Sequence, residues 1–151
     1  MQLIILMKPL YLPFVKNTST NINTYKIFLD CKGVNVNHKN KYNNTILNIF
    51  YFFNKNRTGI IDLFKQYGYN FTIHDIDFIL ETGKYAFLKQ ILSYYDNLNL
   101  SVKFDNKRVK LIKVLYHLYC ENRINEEIIK IAISKGANKE DLIDDKLAKN
   151  F

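Results

Sequence analysis

Tryptophan is absent from this 151-residue chain, and cysteine, proline and methionine occur twice each. Cys31 and Cys120 alone exclude a disulfide scaffold and a four-cysteine zinc site; they read as buried thiols of a reducing compartment. No run of four or more basic residues concentrates positive charge on one stretch. No apolar stretch approaches the ~18 residues of a membrane-crossing helix. The apolar start Met1–Leu6 is cut by Lys8 and Pro9 and lacks the basic lead and small-residue cleavage site of an export signal. The expectation is a protein that is not secreted and does not engage a membrane. Glycine-rich phosphate loops, a Gly-x-Ser-x-Gly elbow and a His-Glu-x-x-His zinc pair are also missing.

What is present is 48% hydrophobic and 24% charged, an ordinary globular balance that excludes disorder as the whole answer. The length suits one compact unit, 1–151. Residue choice is skewed: 19 Asn, 19 Ile and 19 Lys stand against 3 Arg and 4 Ala. Such a bias reports A/T-rich codon supply, so the net charge of +8 is first read as a solvated surface.

The chain is self-similar. Gly33-Val34-Asn35, Gly68-Tyr69-Asn70 and Gly136-Ala137-Asn138 are Gly-x-Asn triplets spaced by one and two periods of about 34 residues. Eight, five and four residues before each glycine the side chains are apolar: Tyr25, Phe28, Leu29; Ile60, Leu63, Phe64; Ile128, Ile131, Ala132. Leu88, Ile91 and Leu92 hold the same offsets before Asp96. These offsets share one face of a helix, and a residue with positive φ closes it, glycine in three cases and Asp96 in the fourth. The pattern predicts second helices near 24–31, 58–67, 84–95 and 125–135. First helices are predicted near 45–53, 74–82 and 107–120, with Thr45 and Thr72 as N-caps, and Asn125 is followed by Glu126 and Glu127 at the positive start of the last second helix. Asn138 and Asp141 open a short cap running to about Lys149.

On these residues the chain resembles ankyrin repeats, units of about 33 residues with two antiparallel helices and a β-turn finger. Thr45-Ile46-Leu47-Asn48 stands where ankyrin units carry Thr-Pro-Leu-His, keeping Thr and Leu. Ile60–Asn70 resembles the second helix with its Gly-Ala-Asp ending, and Gly33-Val34-Asn35-Val36-Asn37 the entry to the finger. The repeats are clearest over 25–71, degenerate over 72–138 and capped by 139–151. The rings of Phe50, Tyr51, Phe52 and Phe53 depart from the small residues usual in a first helix. The segment 54–59 is longer than the usual turn. Degenerate repeats of this kind are typical of poxviruses, giant viruses and some intracellular bacteria. The resemblance implies an all-α, helix-turn-helix solenoid of three to four repeats. It implies a monomeric, non-catalytic protein–protein interaction module with no cofactor and no metal. Its partner would be a cellular or host protein in the cytoplasm, or in the host nucleus if the source is viral.

The partner-binding residues expected under that resemblance lie on the one near-complete finger, 34–44: Asn35, Asn37, His38, Lys39, Asn40, Lys41 and Tyr42. The competing reading of the asparagines is that they are good turn residues. The alternative function is a basic helical nucleic-acid binder, which needs the lysines to converge on one face. Catalysis is the weakest reading. His38, His74 and His117 are dispersed, Asp75 and Asp77 would face different sides of a helix, and His117 with Cys120 lacks an orienting partner.

Overall fold

In the computed structural model the described residues are 22–32, 34–53 and 59–142, without the side chains of Thr24, Phe52 and Phe53. The apolar start, Gly33, the segment 54–58 and the cap beyond Leu142 therefore lie outside the described residues. The described residues are mostly helical, with seven α-helices and one two-stranded antiparallel sheet. The chain divides into two compact units, 1–70 and 71–151.

The first unit holds α1 (Ile22–Asp30), α2 (Ile46–Phe53) and α3 (Gly59–Gln66). Tyr25 and Leu29 lie one turn apart on α1 and are buried, as are Ile60, Ile61, Leu63 and Phe64 of α3. These faces bring α1 and α3 together. Ile46, Leu47, Phe50 and Tyr51 are buried on α2, and the ring of Phe50 meets that of Tyr25 edge-on at 5.8 Å. Of the rings in this segment, those of Phe50 and Tyr51 thus fill the core, each at about 1.5–3 kcal/mol or more of apolar burial. Thr45 caps α2 with Asn48 as its reciprocal partner. The Asn48 N–H donates to Thr45 Oγ1 (3.3 Å), and the Asn48 carboxamide oxygen accepts the Thr45 N–H and hydroxyl, both at 3.0 Å. The Tyr69 hydroxyl, 2.8 Å from Thr45 Oγ1, completes this buried network.

The second unit holds α4 (Ile73–Thr82), a 3₁₀ turn Tyr85–Phe87, α5 (Leu88–Ser93), β1 (Ser101–Phe104), β2 (Lys107–Lys110), α6 (Leu111–Cys120), α7 (Glu126–Ser134) and a 3₁₀ turn Lys139–Leu142. Helix α7 packs on both α5 and α6, and α4 packs on β1. Thr72 precedes α4, and its N–H donates to Asp75 Oδ2 at 2.9 Å. Asn125 stands at the N-cap of α7 without a side-chain capping bond.

Gly68 and Gly136 end their helices alike. Their φ values are +80° and +88°. The glycine N–H reaches back three residues (Lys65 and Ile133, both 3.0 Å). The following N–H reaches back five, Tyr69 to Phe64 (2.9 Å) and Ala137 to Ala132 (3.0 Å). This is the left-handed closure expected of the repeat.

Three expectations are corrected. First, the fold is not all-α, and the helix expected over 107–120 begins at Leu111. Residues 101–110 form a hairpin in which Val102 pairs with Val109 and Lys103 with Arg108. Asp105 (φ +48°) and Asn106 (φ +61°) form its two-residue turn. Both central residues at positive φ match the right-handed strand twist, so this turn favours a hairpin over a helix start. The loop at 34–44 is consequently not the one finger-like connection. Second, Asp96 does not adopt positive φ. Helix α5 ends instead by tightening, with Tyr94 N–H to Ile91 O (3.1 Å) and Tyr95 N–H to Leu92 O (3.3 Å). Third, both cysteines are exposed.

Candidate partner-binding loops

The loop expected to contact a partner connects α1 to α2, and its seven residues divide into two groups. Asn35, Asn37 and Asn40 build the loop. The Asn35 carboxamide oxygen accepts the Asn37 N–H at 3.0 Å. Asn37 spans to the end of α3: its Nδ2 donates to Gly68 O (2.9 Å) and its Oδ1 accepts the Asn70 N–H (2.8 Å). Asn40 holds the tip. Its Oδ1 accepts the N–H groups of Tyr42 (2.9 Å) and Asn44 (3.1 Å), and its own N–H donates to Asn44 O (2.9 Å). The turn needs Asn43 at φ +62°, a conformation that asparagine tolerates. So the turn-residue reading holds for these asparagines.

His38, Lys39, Lys41 and Tyr42 form the second group, and all four are exposed. Tyr42 is 69% exposed, and the Lys41 ammonium lies 4.9 Å from its ring centroid. Carboxamide bonds fix the backbone beneath these side chains, which lowers the ordering cost of any contact they make. Phe50, by contrast, is fully buried.

The second unit offers another connection between helices, the 101–110 hairpin. Asp77 on α4 secures it. Its side chain is 12% exposed; Oδ1 accepts the Lys103 N–H at 2.7 Å and Oδ2 lies 3.4 Å from Arg108 Nη1. Asp75 and Asp77 do serve different partners, as helix geometry requires. Both carboxylates, together with burial, push the Tyr95 phenol well above its ordinary value; burial is the largest cause. Beside the hairpin tip lies an open cleft of about 440 Å³, walled by Leu80, Glu81, Tyr85, Lys103, Phe104 and Arg123. Sequence reasoning missed it because it read the second strand as helix. Its signal was Asp105-Asn106 between two four-residue runs with Val102 and Val109 at matching positions.

The other titratable residues are dispersed. His74 lies on the first turn of α4, and its Nε2 is buried without a hydrogen-bond partner. His117 is exposed, 3.3 Å from Glu121 and edge-on to Phe104, and Cys120 is exposed on the same helix. Among the described residues no three His, Cys, Asp or Glu side chains gather in a group suited to a metal ion, and no helix is long and apolar enough to cross a membrane. Compared with protein-family models, curated proteins and solved structures, the chain matches none significantly.

Proposed function

We propose that this chain is a non-catalytic protein-binding module built from degenerate ankyrin-like repeats, which presents its inter-helix loops to a cellular or host protein. The repeat reading is supported by recurrent local geometry. In the first unit Asn37 rests on Gly68, and α1 packs on α3. In the second, Asn97 Oδ1 lies where a Cβ on Gly136 would be 3.3 Å away, Leu98 N–H donates to Lys135 O (2.8 Å), and α5 packs on α7. In both, the turn after one second helix meets the glycine end of the next. Asparagine opens both turns, with Asn35 Oδ1 accepting from Asn37 and Asn97 Oδ1 from Asn99 (2.8 Å).

The observation that carries the function is the loop at 34–44. It is held by its own carboxamides yet leaves Tyr42 69% exposed. A rigid backbone displaying one large ring among polar side chains is the anchor arrangement of protein interfaces. The test is capture of a partner from candidate host lysate, followed by binding measurements on variants. Tyr42→Ala and His38→Ala should each weaken binding by about 1 kcal/mol or more, roughly fivefold. Lys65→Ala and Lys89→Ala, on second helices, should leave it unchanged. The reverse pattern would refute the loop as the contact.

A further inference from the structure

Positive charge is unevenly placed along this chain. Residues 1–70 hold nine Lys and Arg against Asp30 and Asp62 alone, a net charge of +7. Residues 71–151 hold thirteen against twelve, a net charge of +1. Between Cys31 and Ile61 there is no acidic residue. A codon bias that raises lysine acts on both halves equally, so it does not explain why twelve of the fourteen acidic residues lie in one of them.

Within the first unit, Asp30 is committed. The Lys26 ammonium sits 3.0 Å from Oδ2, and the Tyr67 hydroxyl donates to Oδ1. These hydrogen bonds, Tyr67's first, hold its carboxyl below the usual carboxylate range. Lys32, Lys39 and Lys41 are exposed along the connection from α1 to α2. None forms an ion pair among the described residues. An acid-free connection with unpaired cations on a fixed backbone is complementary to an anionic partner.

We propose that this loop docks an acidic peptide segment of the partner protein, with Lys32, Lys39 and Lys41 meeting its carboxylates and Tyr42 packing along its chain; this rests on the protein-binding reading above. A peptide is favoured over a nucleic acid by the rings. Binding of a single strand uses successive aromatic faces on which bases stack. Here Phe50 and Tyr51 are fully buried. Tyr42 and His38 are the exposed rings of the loop, and the Lys41 ammonium already lies over that of Tyr42, so no run of open ring faces is left for successive bases. Lysines meet carboxylates as point charges and need no flat platform.

The test is fluorescence anisotropy on the full chain at 50 and 200 mM NaCl with three probes. These are a ten-residue Asp/Glu-rich peptide carrying one leucine, its Asn/Gln counterpart, and a ten-nucleotide oligothymidine. The acidic peptide should bind at least tenfold tighter than its neutral counterpart. Lys39→Glu with Lys41→Glu should weaken it at least tenfold. Lys107→Glu with Lys139→Glu, an equal charge change on exposed positions of the second unit, should weaken it less than twofold. Circular dichroism confirms that both double variants are folded. Equal losses in the two would reduce the attraction to net charge and overturn the proposal. So would failure of the acidic peptide to bind at 50 mM NaCl, while the Tyr42-dependent capture of a partner would still uphold the protein-binding reading. Tighter binding of oligothymidine through Lys39 and Lys41 would overturn both.

Discussion

In the first unit the described residues of the connection from α1 to α2 form no helix or strand, and asparagine carboxamides hold them to one another and to the end of α3. In the second, the connection from α5 to α6 contains a hairpin, which a buried aspartate on α4 holds. Charge follows the same division. The second unit balances its charges, thirteen basic residues against twelve acidic, and some of them meet in the pairs Lys89–Glu127, Arg108–Asp77 and Lys130–Glu126. Lys135 Nζ adds bonds to the carbonyls of Ser93 (2.7 Å) and Tyr95 (2.6 Å) at the end of α5. Exposed pairs of this kind contribute little each, about 0–1 kcal/mol. What matters for a partner is the unit's net charge, which is only +1. The first unit keeps Lys32, Lys39 and Lys41 unpaired among the described residues. One helical pattern therefore supports a unit of nearly balanced charge and a unit with a net charge of +7.

The largest test of that contrast is thermodynamic. Phe64→Ala in the first core and Leu115→Ala in the second, both at fully buried positions, should cost about 3–5 and 2–5 kcal/mol respectively. Native-state hydrogen exchange should place each loss mainly in the unit that carries the substitution. Equal loosening of both would make them one cooperative unit and remove the basis for treating them separately.

Next is the aspartate beneath the hairpin. Asp77→Ala should destabilise the second unit by about 2 kcal/mol in urea, because the Lys103 N–H loses its acceptor and Arg108 its counter-charge. The like-charged cross-strand pair Lys103 and Arg108 would then stand uncompensated. A wild-type midpoint would mean that the hairpin needs no such clamp.

The glycine closures differ in their surroundings. Gly68→Val should cost about 1 kcal/mol or more, since a β-branched residue resists positive φ although the space there is open. Gly136→Val should cost more, because its Cβ also presses on Asn97 Oδ1 at 3.3 Å. Melting temperatures in the opposite order would break the proposed equivalence of the two ends.

The smallest effect concerns Tyr95, whose hydroxyl donates to Thr72 O. Its folded phenol titrates well above the ordinary value of 10. Above pH 10 the unfolded chain releases this proton while the folded one keeps it, so stability falls as pH rises beyond 10. Tyr95→Phe should cost about 1 kcal/mol at neutral pH and flatten that alkaline decline. An unchanged alkaline slope would assign the decline to other groups.

The helices were legible in the sequence because their information is local. Apolar side chains at 3.6-residue spacing, Thr45 and Thr72 before a run, and Gly68 and Gly136 after one each act within a turn or two of backbone. The loop at 34–44 was legible as a place, since asparagine density and exposed basic residues need no distant partner. The division of labour inside it was not. Whether an asparagine faces solvent or clamps backbone depends on what lies nearby in space, and Asn37 finds Gly68 and Asn70 more than thirty residues away. The hairpin was hidden for a related reason. Lys107–Lys110 continues the apolar rhythm of α6 and reads locally as helix; it is drawn into a strand by Asp105-Asn106 at positive φ, by pairing with Ser101–Phe104 and by the carboxylate of Asp77. Short-range periodicity by itself determined which segments are helical, while the start of α6 and the end of α5 were set by their surroundings. Tertiary structure alone decided which polar side chains were consumed in holding the chain and which were left for a partner, because hydrogen bonds and ion pairs form between neighbours in space.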